Sequence, residues 1–302
     1  MALSLVVVVY DMPEQALNTI RSLSPDHQRG VSAEQYEIVV VENESARTLD
    51  QDQVQAAAAN ARYLRRSEPG RSPAAAVNTG ADLARGELLA IAVDGARMVT
   101  PGVVSGILRA ARLAPTPVVS VPGYHLGDQL HQDAVAHGYS VAQEQQMLAR
   151  LGWRRDGYAL FRRAVLSASC ADGFLVPIAE SNCVAMPRGL FDDLGGFDER
   201  FVTSGGGFVN LDFYRRAVDH PGSTLVLLPG EGAFHQFHGG ATTGAPNVDR
   251  DRLIDDMRAE YRRLRRRDYV SPQTRPILLG EIPPDALPFL AHSVRRAQGT
   301  DT

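Results

Sequence analysis

The chain has 302 residues, 44% hydrophobic and 22% charged, an ordinary composition for one large or two smaller globular α/β domains. Its net charge of −4 gives no indication of nucleic-acid binding. All 31 basic residues are arginine, which excludes Schiff-base and Walker-type lysine chemistry. Cys170 and Cys183 are too few for a disulfide framework or a zinc site.

The first 115 residues alternate apolar runs with helical patterns. Strands are predicted over Leu3–Tyr10, Tyr36–Val41, Tyr63–Leu64 and Leu88–Val93, and helices over residues 13–23, 53–61 and 74–84. Because this alternation implies right-handed crossovers, we expect a parallel sheet. The opening run lacks a basic segment before it and is expected to be a strand, not a signal peptide. With no apolar run near ~20 residues, we expect a cytoplasmic protein.

Polar side chains follow three of these strands at the point where each ends. Asp11 comes after the first strand, Glu42 and Asn43 after the second, and Asp94 after the fourth. Alone, Asp94 would equally suit the cap of the next turn. The carboxyl ends of parallel strands meet at one edge of the sheet, where ligands bind. Together with Arg71, whose planar fork suits a phosphate, they predict a nucleotide cleft.

The second half of the chain is less regular. A strand is predicted within residues 115–122, a helix over 141–151, and short strands over 174–177 and 182–186. Further predictions are a helical turn at 189–194, a helix over 210–218, a strand over 224–228, a charged helix over 250–267 and a proline-punctuated tail. Between them, Gly205, Gly206 and Gly207 indicate either a plain flexible loop, or a lid or close backbone approach to an acceptor.

In this order the fragments resemble the inverting glycosyltransferases of family 2, which have the GT-A fold. The resemblance covers residues 3–242 and rests on VVVVYDMPEQALNTIRSL, IVVVENES, AAAVNTGADLARGE, AVDGARMVTPG, LGGFDERFVTSGGGFVNLDFYRR and FHQFHGGATT. It implies a mixed, mostly parallel sheet flanked by helices, in a single domain over residues 1–245. Residues 1–115 would bind the nucleotide sugar, 116–245 the acceptor, and 246–302 would add a charged helix and tail.

The same resemblance implies transfer, with inversion, from a UDP-, GDP- or dTDP-sugar to a hydroxyl of a saccharide, lipid-linked or small-molecule acceptor. Residues expected to face the nucleotide are Asp11, Glu42, Asn43, Arg71, Asn78 and Asp94. Asp94 with His238 or His235 would bind Mg²⁺ or Mn²⁺. Two histidines three residues apart also suit plain hydrogen-bonded loop positions.

The sequence departs from the family pattern at two positions. Ala96 stands where the second aspartate of the D-x-D motif is expected, which predicts weaker or absent metal binding. Asn210 stands near the expected general base, and an amide does not accept a proton near neutral pH. Asp212 and Glu180 are equally ranked substitutes, with Asp198 behind them. Asp212 would otherwise complement a helix dipole.

Several alternatives stay open at this point. A chain that has lost both its metal and its base would be a nucleotide-sugar-binding or regulatory protein on the same fold. A nucleotidylyltransferase and a Rossmann dehydrogenase are disfavoured, because neither type of glycine-rich loop follows the first strand. The basic helix end at Arg258–Arg267 is expected to be a solvated, ion-paired face, and its alternative is contact with an anionic membrane surface or a phosphorylated acceptor.

Overall fold

Twelve β-strands and ten α-helices form the part of the chain described by the structure, a computed structural model, namely residues 1–67, 72–239 and 247–300. The strands are β1 (Leu3–Val9), β2 (Tyr36–Glu42), β3 (Ala61–Arg65), β4 (Leu88–Ala92), β5 (Arg97–Val99), β6 (Pro117–Ser120), β7 (Gly123–Leu126), β8 (Ala164–Leu166), β9 (Cys183–Pro187), β10 (Thr224–Leu227), β11 (Ala233–His235) and β12 (Ile277–Leu278). The helices are α1 (Pro13–Leu23), α2 (Gln51–Ala57), α3 (Ala74–Leu83), α4 (Val103–Ala110), α5 (His131–Ala134), α6 (Val141–Leu151), α7 (Arg188–Asp193), α8 (Val209–Val218), α9 (Asn247–Arg265) and α10 (Leu287–Gln298).

An eight-stranded sheet forms the centre of the molecule, with strand order β12-β10-β6-β9-β4-β1-β2-β3. All its pairings are parallel except those of β9, which runs antiparallel to both β4 and β6. The central strands β1, β2 and β4 are almost fully buried, as expected for a sheet with helices on both faces. The predicted mixed, mostly parallel sheet is therefore confirmed.

The helices form two layers because successive side chains of each strand point to opposite faces. In β1, Leu3, Leu5 and Val7 pack with α1, α2 and α4, whereas Val6 and Val8 pack with α3, α7 and α8. The α3 layer comes close to the sheet at one glycine. A Cβ added at Gly80 would collide with the side chain of Val6, so α3 carries glycine where it crosses β1.

A second, four-stranded sheet, with order β5-β11-β7-β8, was not predicted. Its strands are only three or four residues long, too short for an apolar alternation to be recognised. β11 pairs antiparallel with β5 and parallel with β7. This small sheet brings together segments near residues 97, 125 and 235, and it carries part of the candidate site.

Two stretches differ from the sequence prediction. Residues 174–177, predicted as a strand, form a loop in which Phe174 is fully buried. The predicted C-terminal tail instead contributes β12, which pairs with β10, and α10, where Ser293 Oγ accepts from the backbone N–H of Phe174 at 3.1 Å. A local sequence pattern cannot predict contacts between segments that lie far apart along the chain. Among the described residues, no helix combines the length and apolar character needed to cross a membrane.

Candidate functional site

The candidate site lies at one edge of the large sheet, where β1, β2 and β4 end and the antiparallel β9 begins. Ala92, the last residue of β4, pairs with Cys183, so the segments around Asp94 and Glu180 leave the sheet at the same edge. The ends of β1 and β2 are joined there, because the backbone N–H of Asn43 donates to the carbonyl of Val9. The structure thus brings the predicted polar strand ends together, at the ligand-binding edge of an open α/β sheet.

Asp94, His235 and His238 direct their polar atoms towards one another. Oδ2 of Asp94 is 2.9 Å from Nε2 of His235 and 3.8 Å from Nε2 of His238, and the two Nε2 atoms are 3.1 Å apart. Ligands held by bonds of about 2.1 Å around a small cation lie about 3.0–3.4 Å apart. One carboxylate and two imidazoles at these separations fit a divalent cation.

The proton positions around His235 follow from its buried neighbours. Nε2 of His131 lies 2.9 Å from the carbonyl oxygen of Leu126, which only accepts, so this nitrogen carries a proton. Burial lowers the pKa of His131 to about 4, so the neutral ring has an acceptor at Nδ1. His235 Nδ1, 3.2 Å away, donates to it, and His235 Nε2 offers its lone pair towards Asp94 and His238. Metal-binding histidines likewise donate one ring N–H to a neighbouring acceptor, which leaves the lone pair of the other nitrogen for the metal.

His125 and Glu144, which the sequence did not single out, form the wall behind these groups. Nδ1 of His125 accepts from the backbone N–H of His131 at 3.0 Å, so His125 holds the start of α5 in place behind the cluster. Glu144 is buried and accepts from the backbone N–H of Phe237 at 2.8 Å. Burial raises the pKa of Glu144 to about 8. Its bond fixes the backbone immediately before His238.

Ala96 and Arg97 complete the turn after β4. The backbone N–H of Ala96 donates to Oδ1 of Asp94 at 3.0 Å, while its methyl group is fully buried. Arg97 begins β5 directly opposite His235 of β11, and its Nε is 3.6 Å from Oδ2 of Asp94. Sequence reasoning missed Arg97, although its place three residues after Asp94 was a usable signal.

The residues predicted to face the nucleotide occupy different environments. Asp11 adopts a left-handed conformation (φ 57°) after β1, and its Oδ1 accepts from the backbone N–H of Arg47 at 3.1 Å. Glu42 is completely buried and accepts from the backbone N–H of Leu49 and the hydroxyl of Tyr63. Glu42 thus orders the loop after β2 from beneath. A direct nucleotide contact of either carboxylate stays a prediction.

The amides in the same group are also engaged within the protein. Asn43 Nδ2 donates to the carbonyl of Ser72 at 3.1 Å, which ties the end of β2 to the segment before α3. Asn78 Nδ2 donates to the carbonyl of Phe197, and its Oδ1 accepts from the backbone N–H of the same residue, both at 2.9 Å. Asn78 thereby joins α3 to the loop before α8. Arg71 lies outside the described residues.

Asp212, the first candidate base, is a buried ion-pair partner. Its Oδ2 accepts from Nε of Arg216 at 2.9 Å and from Nη2 of Arg265 at 2.6 Å, and its Oδ1 accepts from Nε of Arg265 at 2.6 Å. Only 2% of the residue is exposed. Asp198, the third candidate, is also bonded to Arg265. These contacts join α8 and α9 and leave Asp212 without a free carboxylate oxygen.

Glu180, the second candidate, is only partly buried and lies beside Asn210. Nδ2 of Asn210 donates to Oε2 of Glu180 at 2.9 Å and lies 3.3 Å from Oδ1 of Asn182. Oδ1 of Asn210 is buried and has no hydrogen-bond partner in the part of the chain that the structure describes. Asn210, which stands near the position of the family's general base, therefore orients the carboxylate of Glu180.

The glycines at 205–207 adopt a backbone that other residues rarely reach, with φ of 75°, 85° and 54°. A Cβ at Gly206 would collide with the ring of Pro73, just before α3. On the other side, Oε1 of Glu260 in α9 accepts from the backbone N–H groups of Val202 and Thr203 at 2.9 and 3.1 Å. The close backbone approach here is to the protein's own α3 and α9.

Residues 4–168 match the family described as Glycosyl transferase family 2, which is more than half of the chain. The chain therefore belongs to this family, and the predicted resemblance is confirmed. A comparison with curated proteins gives no match.

Solved structures with the same fold include S. aureus TarS 1–349 in complex with UDP-GlcNAc, at 12% identity and TM-score 0.54 over 99% of this chain and 73% of that one. Another is the mannosyltransferase PcManGT from Pyrobaculum calidifontis in complex with GDP-Man and Mn²⁺, at 16% identity and TM-score 0.53 over 99% and 70%. A further structure of S. aureus TarS matches at 12% identity and TM-score 0.53, over 98% of this chain and 43% of that one. At these identities the likeness concerns the fold alone.

Proposed function

We propose that this family 2 glycosyltransferase moves a sugar from a nucleoside-diphosphate sugar to an acceptor hydroxyl, with inversion at the anomeric carbon. The observation that carries the proposal is the meeting of the Asp94–His235–His238 cluster and the segment of Glu180 at one edge of the sheet. We place the donor in residues 1–115, the acceptor in residues 116–245, and the supporting C-terminal segment in residues 246–302.

The donor side rests on the cluster of ligand atoms at Asp94. A divalent cation bound by Asp94, His235 and His238 would offset the negative charge of the leaving diphosphate. The structure of the mannosyltransferase PcManGT in complex with GDP-Man and Mn²⁺ supports a cation in this role. Ala96 removes one carboxylate from the expected ligand set, so we expect Mn²⁺ to strengthen nucleotide binding only modestly.

For the acceptor side we infer that Glu180 is the general base. In an inverting displacement the hydroxyl oxygen bonds to the anomeric carbon while the bond to the diphosphate breaks, and a carboxylate removes the hydroxyl proton. Glu180 has one oxygen oriented by Asn210, and its other oxygen accepts no hydrogen bond from the described residues, so it can meet the acceptor hydroxyl. Asp212 suits this task less well, because two arginines occupy both of its oxygens.

The proposal is tested by a thermal-shift screen with UDP-, GDP- and dTDP-sugars, with and without Mn²⁺, followed by an assay for release of the nucleoside diphosphate. A ligand that binds the native state raises its melting temperature. We expect at least one nucleotide class to do so. Absence of any shift at millimolar concentration would contradict the cleft assignment. A shift without turnover on any sugar donor would favour a nucleotide-binding protein that has lost catalysis, which the substitutions at Ala96 and Asn210 would explain.

A further inference from the structure

Arg97 places a guanidinium group inside the candidate site, and the proposed reaction gives this group no role. It is the first residue of β5 and pairs with His235 of β11, which in turn pairs with His125 of β7. Residues directly opposite one another on paired strands place their side chains on the same face. The guanidinium of Arg97 therefore stands in one row with two imidazoles, beside Asp94.

The guanidinium is buried and lacks hydrogen bonds at two of its nitrogens. Arg97 is only 9% exposed, and its buried Nε and Nη1 have no hydrogen-bond partner among the described residues. Its ion-pair partner, Oδ2 of Asp94, lies 3.6 Å from Nε, which is beyond hydrogen-bond distance. Burying charged donors without hydrogen-bond acceptors destabilises a protein. A bound ligand that supplies an acceptor to the Arg97 guanidinium would remove this penalty.

Asp94 does not satisfy these donors with a hydrogen bond. Oδ1 accepts from the backbone N–H of Ala96 at 3.0 Å, and Oδ2 faces Nε2 of His235 at 2.9 Å, on the side where the cation would bind. A guanidinium stays protonated at any physiological pH. Arg97 is thus a fixed positive charge beside the carboxylate at which the cation would bind.

We propose that Arg97 binds an oxygen of the donor diphosphate and supplies part of the positive charge otherwise left to the cation. The proposal rests on the proposed function, because it requires a nucleoside diphosphate in this cleft. Two neighbouring residues have related effects on the charge at this site. Ala96 lacks the carboxylate that would bind the cation, and Arg97 supplies a positive charge of its own. A guanidinium is suited to this task because its planar fork forms two hydrogen bonds with phosphate oxygens.

The test measures binding of uridine, UMP and UDP, and of the guanosine series, by isothermal titration calorimetry in EDTA and in Mn²⁺. Wild type is compared with Arg97→Gln, Arg97→Lys and, as a control, Arg162→Gln, which breaks an exposed ion pair with Asp285. We expect wild type to bind the diphosphate in EDTA. Arg97→Gln should weaken this binding roughly 10- to 100-fold and leave nucleoside binding unchanged, the size expected for a charge-assisted hydrogen bond. Arg97→Lys should lose less, and Arg162→Gln nothing.

Equal losses for nucleoside and diphosphate, or no loss in either Arg97 variant, would overturn the role of Arg97 while leaving the proposed function intact. If wild type binds no nucleotide even with Mn²⁺, the proposed function fails and this inference fails with it. Melting temperatures measured beside the titrations identify a variant that does not fold. In that case Arg97→Lys, which keeps the charge, gives the deciding comparison of diphosphate against nucleoside.

Discussion

Glu180→Gln and Asp212→Asn should separate catalysis from stability. Glutamine has nearly the same shape as glutamate and keeps an oxygen to accept from Nδ2 of Asn210, as Glu180 does now at 2.9 Å. It cannot take a proton from the acceptor. We therefore expect Glu180→Gln to lower kcat by about 10²- to 10⁴-fold, with little change in donor affinity or melting temperature.

Asp212→Asn should have the opposite profile. Removing one partner of a buried ion pair costs about 3–5 kcal/mol. Because the side chains of Arg216 and Arg265 are 26% and 16% exposed, solvent reduces this cost, and we expect about 2–4 kcal/mol. A chain of 302 residues unfolds with an entropy of about 0.6 kcal/mol/K, so the melting temperature should fall by roughly 3–6 °C. We expect kcat to stay within about fivefold of wild type.

The assay follows release of nucleoside diphosphate at saturating donor, alongside calorimetric melting curves for each variant. Asp219→Asn, at the C-cap of α8, is a matched control, because it removes a more exposed ion pair, with Arg215 of that helix. A large loss of kcat in Asp212→Asn with an unchanged melting temperature would refute the assignment of Asp212 to structure. Full turnover in Glu180→Gln would remove Glu180 as the base.

Three further predictions concern the cation cluster, the glycine loop and the buried glutamate. Asp94→Asn and His238→Ala should each abolish any gain in nucleotide affinity from Mn²⁺ in calorimetric titrations, and an unchanged gain in both would remove them as ligands. Gly206→Ala should destabilise the fold by about 1–3 kcal/mol more than Gly195→Ala, measured by urea unfolding. Both glycines have a positive φ, but only at Gly206 would the added methyl group also collide with Pro73. Equal losses of stability would contradict the close packing. The pKa of Glu144 is raised to about 8, so its contribution to stability is present below about pH 4.5 and is lost as pH rises towards 8. Wild type should therefore lose up to about 1.4 kcal/mol per pH unit more than Glu144→Gln between pH 5.5 and 8, and parallel pH profiles would contradict the shift.

The central strands of the large sheet were predictable because they are buried on both faces and appear as uninterrupted apolar runs. Leu88–Ala92 illustrates this, since a single run located both the strand and the carboxylate that follows it. Asp94, His235 and His238 could be proposed together from the resemblance. The small sheet could not be predicted, because its strands are short and β11 pairs with residues more than a hundred positions away.

The same limit applied to the supporting residues of the site. The neutral state of His131 depends on its burial, and its proton position depends on the carbonyl of Leu126, neither of which appears in a sequence pattern. The sequence ranked Glu180 and Asp212 equally, because Asp212 lies beside the glycine-rich loop and Glu180 was expected at a sheet edge near the cleft. Only the pairing of Asp212 with Arg216 and Arg265, from two helices, distinguishes the roles of the two carboxylates.

The hydrogen bond between Asn210 and Glu180 leads to a final prediction. Asn210 stands near the position of the family's general base, and Glu180 is the base that we propose for this chain. If both side chains face one acceptor hydroxyl, a carboxylate should work from either position. Asn210→Asp alone should lower kcat, because two carboxylates about 3 Å apart cannot both ionise and the base is partly protonated at neutral pH. Combined with Glu180→Gln, the same change should restore kcat to within about tenfold of wild type, because the new carboxylate then has an amide partner. Asn182→Asp in the Glu180→Gln background is the matched control and should restore nothing. A folded double variant that remains as inactive as Glu180→Gln would mean that the acceptor hydroxyl is reached from position 180 alone.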